Sequence, residues 1–342
     1  MTKVVPVREA VGSVLCHDMT RIVPDEFKGR AFKKGHVVQK DDIDLLLSMG
    51  KEHVYVLFLE PGQIHENEAA ERIAKAVAGP GLRFAEVCEG RVNMVAERPG
   101  LFSVDVGMLT RVNTLDSVAV ATLHGNQCVG KGQAVAGTRI VPLVIGEARI
   151  REVEAMCAAA PPVLQVKPFL PKQVGVVTTG SEIYHGRIED AFGPVVRRKF
   201  ADLGSTVLRQ ILVSDDRDRT AAAILELAAQ GADMVVCTGG MSVDPDDQTP
   251  AAIRATGATV VTYGAPTFPG AMFMLAYLGG MPVLGLPGCV MYHKASIFDL
   301  VVPRIVAGER ISREDIVAMG HGGFCAGCGT CRFPACPFGK GA

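Results

Sequence analysis

The chain has 342 residues, enough for two or three domains, and its 48% hydrophobic and 21% charged content suits folded cores, which excludes a wholly disordered protein. A formal net charge of −1 supplies no basic field for non-specific nucleic-acid binding, so no nucleic acid is expected as a partner and any anionic ligand must be held locally. No segment approaches the roughly 18 apolar residues of a membrane span, and residues 1–15 lack a signal-peptide core, so the expectation is a cytoplasmic protein with no membrane partner.

In chain order, residues 7–15 read as a helix, 41–50 as a second helix and 53–59 as a buried strand, closed by Pro61 and Gly62. This makes a first α/β segment, 1–62. Residues 65–79 form an amphipathic helix with acidic residues in its first turn and Gly79 at its end. A hairpin is expected over 82–96 around Glu89 and Gly90, several short strands with glycine turns over 117–145, and a helix over 150–160. These define a β-rich α+β domain, 63–165. The prolines of 161–172 restrict the chain to extended conformations and mark a linker.

Beyond the linker the pattern alternates. Strands are expected at 174–180, 205–213, 232–240, 259–264 and 281–288, with helices at 193–204, 219–231, 249–257 and 292–306. Strands that are nearly all apolar and spaced by helices predict an α/β fold with a doubly wound, mostly parallel sheet over 172–312, preceded by an α+β region with short strands. Residues 313–342 remain as a cysteine-rich tail.

Ligands of doubly wound sheets bind beyond the carboxyl ends of the strands, and two turns there are unusual: TTGSEI at 178–183 and TGGMSVDPDDQTP at 238–250. Small residues let backbone N–H groups approach an anion, and helix N-termini add a favourable dipole. Carboxylates stand beside both turns, Glu182, Glu189 and Asp190 by the first and Asp244, Asp246 and Asp247 in the second. Acids next to phosphate cradles make sense with a bridging cation such as Mg²⁺; the alternative is that they cap the next helices, Asp247 above all.

The second turn resembles the signature of the domain shared by molybdopterin adenylyltransferases and molybdopterin molybdenumtransferases. Its companions follow in order: TTGSEI, GRIEDAFGP at 186–194, LVSDD at 212–216, FPGAMF at 268–273 and LGLPGCV at 284–290. The resemblance spans residues 172–309 and implies that Gly239, Gly240, Ser242 and Asp247 line a pterin and phosphate pocket, with Thr179, Gly180, Ser181 and Glu182 as its other wall. It further implies that Asp190 and Asp247 serve Mg²⁺ and catalysis, and that Pro269, Gly270, Pro287 and Gly288 complete the rim. The chain departs from the family at three places. Ala271 and Met272 stand where molybdenumtransferases carry Lys-Pro, Ser181 replaces the usual Asp of the first turn, and Cys289-Val290 replaces Asn-Pro or Ser-Pro. The N-terminal half resembles molybdenumtransferases only in outline.

The tail holds Cys325, Cys328, Cys331 and Cys336 at x₂, x₂ and x₄ spacing, with Pro337 after the last. This spacing resembles a bacterial ferredoxin run and favours a [4Fe–4S] cluster; zinc and redox-active thiols are the alternatives. Cys16, Cys88, Cys157 and Cys237 lie in apolar contexts and read as core residues.

What the resemblance implies for function is molybdenum-cofactor biosynthesis: binding of molybdopterin or adenylated molybdopterin and a part in Mg²⁺-dependent molybdate insertion by a molybdenumtransferase-like enzyme. The alternative is a non-catalytic carrier of molybdopterin or finished cofactor that meets a molybdoenzyme or another cofactor-synthesis protein. A homo-oligomer is implied in either case, and reuse of the domain on another nucleotide phosphate is a third reading.

Overall fold

The computed structural model describes residues 2–23, 27–57, 59–88 and 90–341. Phe58 in the first expected strand and Glu89 in the expected hairpin turn lie outside them. The chain divides into two compact units, one of Met1–Arg98, Val104–Leu123 and Lys131–Val166, the other of Pro99–Ser103, His124–Gly130 and Lys167–Ala342. Among the described residues no helix is long and apolar enough to cross a membrane.

In the first unit the helix expected over 7–15 does not form. A single 3₁₀ turn, Val7–Glu9, gives way to Gly12 at φ +80° and then to a short strand, Val14–Leu15. The Ser13 hydroxyl donates to the Ala10 carbonyl, a local bond that competes with helix propagation, and β-branched Val11 and Val14 favour the strand. Val14–Leu15 and Thr2–Pro6 flank His53–Leu57 in an antiparallel sheet. The strand expected over 53–59 is present as His53–Leu57, buried through Val54 and Val56 and exposed at His53 and Tyr55. The helix Glu66–Val77 lays Ala70, Ile73, Ala74 and Val77 inward, and its unit contains a four-stranded antiparallel sheet ordered Val118–Thr122, Ala134–Ile140, Arg91–Ala96, Leu82–Phe84. The helix Val106–Asn113 was not legible, being short, although Asp105 caps it by accepting from the Met108 amide at 2.9 Å. The expected linker contains a strand, Leu164–Lys167, with Leu164 and Val166 buried.

The second unit carries a six-stranded sheet: β1 (Gln173–Thr179), β2 (Thr206–Val213), β3 (Met234–Thr238), β4 (Thr259–Tyr263), β5 (Met274–Leu278) and β6 (Met281–Leu286), in the spatial order β2-β1-β3-β6-β5-β4. The pairs β2/β1, β1/β3 and β3/β6 are parallel, and β6/β5 and β5/β4 are antiparallel. The mostly parallel α/β sheet is thus present. The alternating pattern of β1 sends Val174 and Val176 to one core with Phe200, Phe298 and Val301, and Val177 to the other with Ile224, Leu227 and Ile253. Both faces are covered at the inner strands, which is why β1, β3 and β6 read as mostly apolar runs, whereas the edge strands β2 and β4 are partly exposed. Strand β5 was not expected, because the preceding motif at 268–273 masks its start; Gly279 and Gly280, both at positive φ, form the two-residue hairpin that joins it to β6. Because β1 leads outward to β2 and β3 returns on the other side of β1, the chain reverses direction between β1 and β3, the place where open α/β sheets leave a crevice.

The helices of this unit are α1 (Ser181–Tyr184), α2 (Phe192–Ala201), α3 (Arg217–Ala229), α4 (Thr249–Ala255), α5 (Cys289–Tyr292), α6 (Ile297–Val306) and α7 (Arg313–Ala318). One charged cluster fastens α7 to α6. The Arg304 guanidinium donates to Glu309 Oε2 and to Asp315 Oδ1, each at 2.7 Å, and Lys167 reaches Glu309 Oε1 at 2.8 Å. Burial alone pushes the Glu309 carboxyl up, but the bonds from Lys167 and Arg304 outweigh it and hold it below its ordinary 4.5. Asp315 is held below 3.8 by the same balance of burial against Arg304.

With folded pKa values below the unfolded ones, the stability these carboxylates contribute is complete above about pH 4.5 and is lost as pH falls through the depressed folded values. Glu309→Gln is expected to cost about 1.5–3 kcal/mol at neutral pH, since Lys167 and part of Arg304 lose a charged acceptor. It should also flatten the loss of stability between about pH 5 and 3. Urea melts of both proteins across that range measure both effects, and a parallel pH profile for the variant would count against them.

Candidate functional site

The turn after β3 is built from two successive glycines. Gly239 has φ +85° and Gly240 φ +57°, a left-handed pair that L side chains rarely adopt. Sterics add to this: a Cβ on Gly239 would stand 2.3 Å from the Thr179 carbonyl oxygen, and one on Gly240 2.7 Å from Thr249 Oγ1. The carbonyls of both glycines are engaged by the start of α4, Gly239 O accepting from Thr249 Oγ1 at 2.9 Å and Gly240 O from the Thr249 amide at 3.1 Å. In a trans peptide the N–H points opposite the C=O, so the amides of Gly240 and Met241 face away from the Thr249 groups that hold the carbonyls, and both residues line a cleft. Neither amide has a hydrogen-bond partner among the described residues.

That cleft, of about 510 Å³, lies at the carboxyl ends of β3 and β6. Gly239, Gly240, Ser242 and Asp247 form one side, Phe268, Pro269, Gly270 and Ala271 a second, and Pro287, Gly288 and Cys289 a third. No Lys, Arg or His lines it among the described residues. Asp247 closes its own loop, its carboxylate accepting from the Asp244 amide at 3.3 Å and its amide donating to the Asp244 carbonyl at 3.0 Å. It is the one ionisable carboxylate among the described residues lining the cleft. Burial pushes the Cys289 thiol up, partly offset by the amides of Cys289 and Val290 at the head of α5, so the sulfur stays protonated at neutral pH and is a poor nucleophile. Tyr263, under the Arg254 guanidinium, donates to the Met241 carbonyl at 3.3 Å and steadies the loop from behind.

The first turn is placed differently from the expectation. Thr179, Gly180, Ser181 and Glu182 do not line this cleft. The Gly180 amide donates to the Val213 carbonyl at 3.2 Å and the Ser181 amide to Asp215 Oδ2 at 2.7 Å, so the two donors expected to cradle an anion are already engaged. Thr179 instead supports the second turn from below, its hydroxyl 3.3 Å from both the Thr238 carbonyl and Thr249 Oγ1. Asp190 is a capping residue: Oδ1 accepts from the amides of Phe192 at 2.9 Å and Gly193 at 3.1 Å, and Oδ2 from Gln210 Nε2 at 2.6 Å. Asp190 does not line the cleft that Asp247 lines. Gln210 continues to Thr178 Oγ1 at 2.9 Å, which accepts from Thr238 Oγ1 at 3.0 Å, tying β2, β1 and β3 together. Sequence reasoning did not single out Gln210, which stands beside Arg209 in β2, and it placed Asp215 only within LVSDD; neither announces its partner in sequence.

Fit to metals follows from these contacts. Mg²⁺ commonly takes one or two carboxylates together with phosphate oxygens of its ligand, and Asp247 alone fits that pattern here. Among the described residues no three His, Cys, Asp or Glu side chains already stand together as a metal-holding group, the tail cysteines included. Of the cysteines read as core, Cys157 and Cys237 are buried, Cys16 is half-buried and Cys88 is exposed.

Comparison with known proteins adds the following. A family described as "Probable molybdopterin binding domain" matches residues 175–307, and a domain of unknown function matches residues 4–58. A CinA-like protein of Anaeromyxobacter dehalogenans is 43% identical over 83 residues, 24% of this chain and 20% of the relative. A molybdopterin molybdenumtransferase of Bacillus subtilis is 30% identical over 122 residues, 34% of this chain and 28% of the relative. The chain thus spans about a fifth of the length of the CinA-like relatives it matches. Among solved structures, the tungsten cofactor synthesizing protein MoaB of Pyrococcus furiosus is 22% identical with TM-score 0.34, covering 44% of this chain and 100% of its own. The molybdopterin biosynthesis MoeA protein of Pyrococcus horikosii is 16% identical with TM-score 0.33, covering 90% of this chain and 75% of its own. Residues 175–307 are a domain of the molybdopterin-binding family, of the type found in molybdenum-cofactor biosynthesis.

Proposed function

We propose that the cleft binds molybdopterin or adenylated molybdopterin within molybdenum-cofactor synthesis, gripping its phosphate through the backbone amides of Gly240 and Met241. The observation that carries this is the glycine turn itself: with both carbonyls held by Thr249, two N–H groups without partners among the described residues belong to residues that line a cleft of ligand size. In the catalytic form of the proposal, Asp247 and the ligand phosphates hold Mg²⁺, which supplies the positive charge that the lining lacks, and molybdate enters as adenylate leaves.

A second reading, a carrier that shelters the pterin and hands it to a molybdoenzyme, is favoured by one specific observation: no cationic side chain lines the cleft, Ala271 standing at the rim where the family carries lysine. The discriminating experiment gives the purified full chain adenylated molybdopterin, molybdate and Mg²⁺. AMP release above background selects the catalytic form, saturable binding without AMP selects the carrier, and neither result would sink the proposal.

Three variants probe the site. Gly239→Ala is expected to abolish pterin binding, because its Cβ cannot avoid the Thr179 carbonyl and the turn must rotate its amides away; calorimetric titration that finds wild-type affinity would contradict the amide grip. Asp247→Asn should remove most of any Mg²⁺ enhancement of binding while leaving Mg²⁺-free affinity within about threefold, a split read from titrations with and without the cation. Ala271→Lys should place a cation at the rim and tighten binding of the phosphate-bearing ligand about tenfold, diminishing with added salt; an unchanged affinity would place the phosphate elsewhere.

A further inference from the structure

The four tail cysteines are chemistry that the proposed function leaves unused, and they lie beyond the matched segment 175–307. The tail is folded. Phe338 is only 3% exposed and packs with Ala295 and Leu300, and Cys325, Cys331 and Cys336, with Phe333, lie against this same small cluster. The ends of the loop are fastened together: the Gly339 amide donates to the Gly322 carbonyl at 2.9 Å, and the Lys340 ammonium to the Pro334 carbonyl. The closure entropy of an eighteen-residue loop is therefore already met by contacts that involve no cysteine.

We propose that Cys325, Cys328, Cys331 and Cys336 ligate one thiolate-bound metal centre, an iron–sulfur cluster or zinc, inside this loop. Three of the thiols share one apolar patch, and the exposed Cys328 belongs to the same two-residue spacing. A donor set of sulfur alone selects zinc or iron–sulfur over hard cations. Charge within the segment agrees with this: residues 316–342 hold no Asp or Glu, while Arg332 lies in the loop and Lys340 directly after it, so the net negative charge of a tetrathiolate centre has cations in its own segment. The thiols are not yet within mutual ligating reach, so loading displaces their protons and tightens the loop.

That tightening has a direct mechanical route. The Phe268 amide donates to the Gly323 carbonyl at 2.7 Å, the Cys325 amide donates to the Phe268 carbonyl at 2.8 Å, and the Phe268 and Phe324 rings lie 6.4 Å apart. Phe268 lines the pterin cleft. A ligand thiolate at Cys325 is therefore one hydrogen bond from the rim, and the metal site stands independently of what the cleft binds.

The test uses the full chain purified without oxygen and reconstituted in separate arms with equal ferrous and ferric iron plus sulfide or with zinc. The expected result is about four iron and four sulfide with charge-transfer absorbance, or about one zinc. Cys328→Ser, which disturbs no packing, and Cys331→Ser should each lower metal affinity at least about tenfold, while Cys88→Ser, exposed in the other unit, leaves it unchanged. Hydrogen exchange at the amides of Phe268 and Cys325 should slow on loading. A chain that takes up neither metal, or takes up the same amount in Cys328→Ser, overturns the proposal; uptake with unchanged exchange at Phe268 overturns its link to the rim.

Discussion

The left-handed pair Gly239 and Gly240, wedged between Thr179 and Thr249, is the constraint on which the site depends. Thr179 ends β1 and Thr249 begins α4, so the turn is clamped by a neighbouring strand on one side and by the helix it feeds on the other. The clamp engages both carbonyls and leaves the Gly240 and Met241 amides without partners among the described residues, the arrangement that the proposed phosphate grip requires. Behind it the chain Asp190, Gln210, Thr178 and Thr238 satisfies polar groups that would otherwise be buried without partners, and so keeps three strand ends in register. The rigidity of the cleft is thus inherited from the sheet rather than from its own loop contacts.

How much of this was legible in the sequence depended on whether a residue's role is local. The sheet was readable because strands buried on both faces must be apolar throughout, and helices between them must be amphipathic. Strand β5 was hidden because its apolar residues follow a Pro-Gly motif that reads as loop, although the Gly279-Gly280 hairpin turn was a usable signal. The false helix at 7–15 shows periodicity overruled by one left-handed glycine and one serine hydroxyl. In the site, the second turn announced itself because only glycine fits its conformation. The first turn misled for a physical reason: TTGSEI has the composition of an anion cradle, but Val213 and Asp215, more than thirty residues downstream, take its amides. Asp190 misled similarly, since a carboxylate that caps a helix and one that holds a cation look alike until their neighbours are known.

The composition of the cleft separates holding a ligand from transforming it. Fixed amides stabilise a phosphate in the ground state and in a transition state alike, so they supply affinity readily and acceleration only where charge grows during the reaction. A lysine at the rim would follow that growth with a full charge; Ala271 cannot. Cys289, kept protonated, offers neither a nucleophile nor a charge. What remains among the described lining residues is the Asp247 carboxylate, so under the proposed catalytic form any positive charge at the phosphate would have to come from a cation bound with the ligand.

The tail enters the same balance from the other direction. Phe268 belongs both to the cleft lining and to the two-bond bridge with Gly323 and Cys325, so any difference in rim geometry between the loaded and unloaded tail is a difference in ligand affinity. Linkage makes that relation reciprocal: a pterin that prefers the rim set by the loaded tail raises metal affinity by the factor by which the metal raises its own. The coupling is bounded by what two neutral hydrogen bonds and one ring contact can transmit, about 1–2 kcal/mol, or roughly five- to thirtyfold in affinity. Under the proposal, an effect of that size would tune retention and release of a ligand without gating access outright, and a thiolate centre would make the tuning respond to metal supply or oxidant.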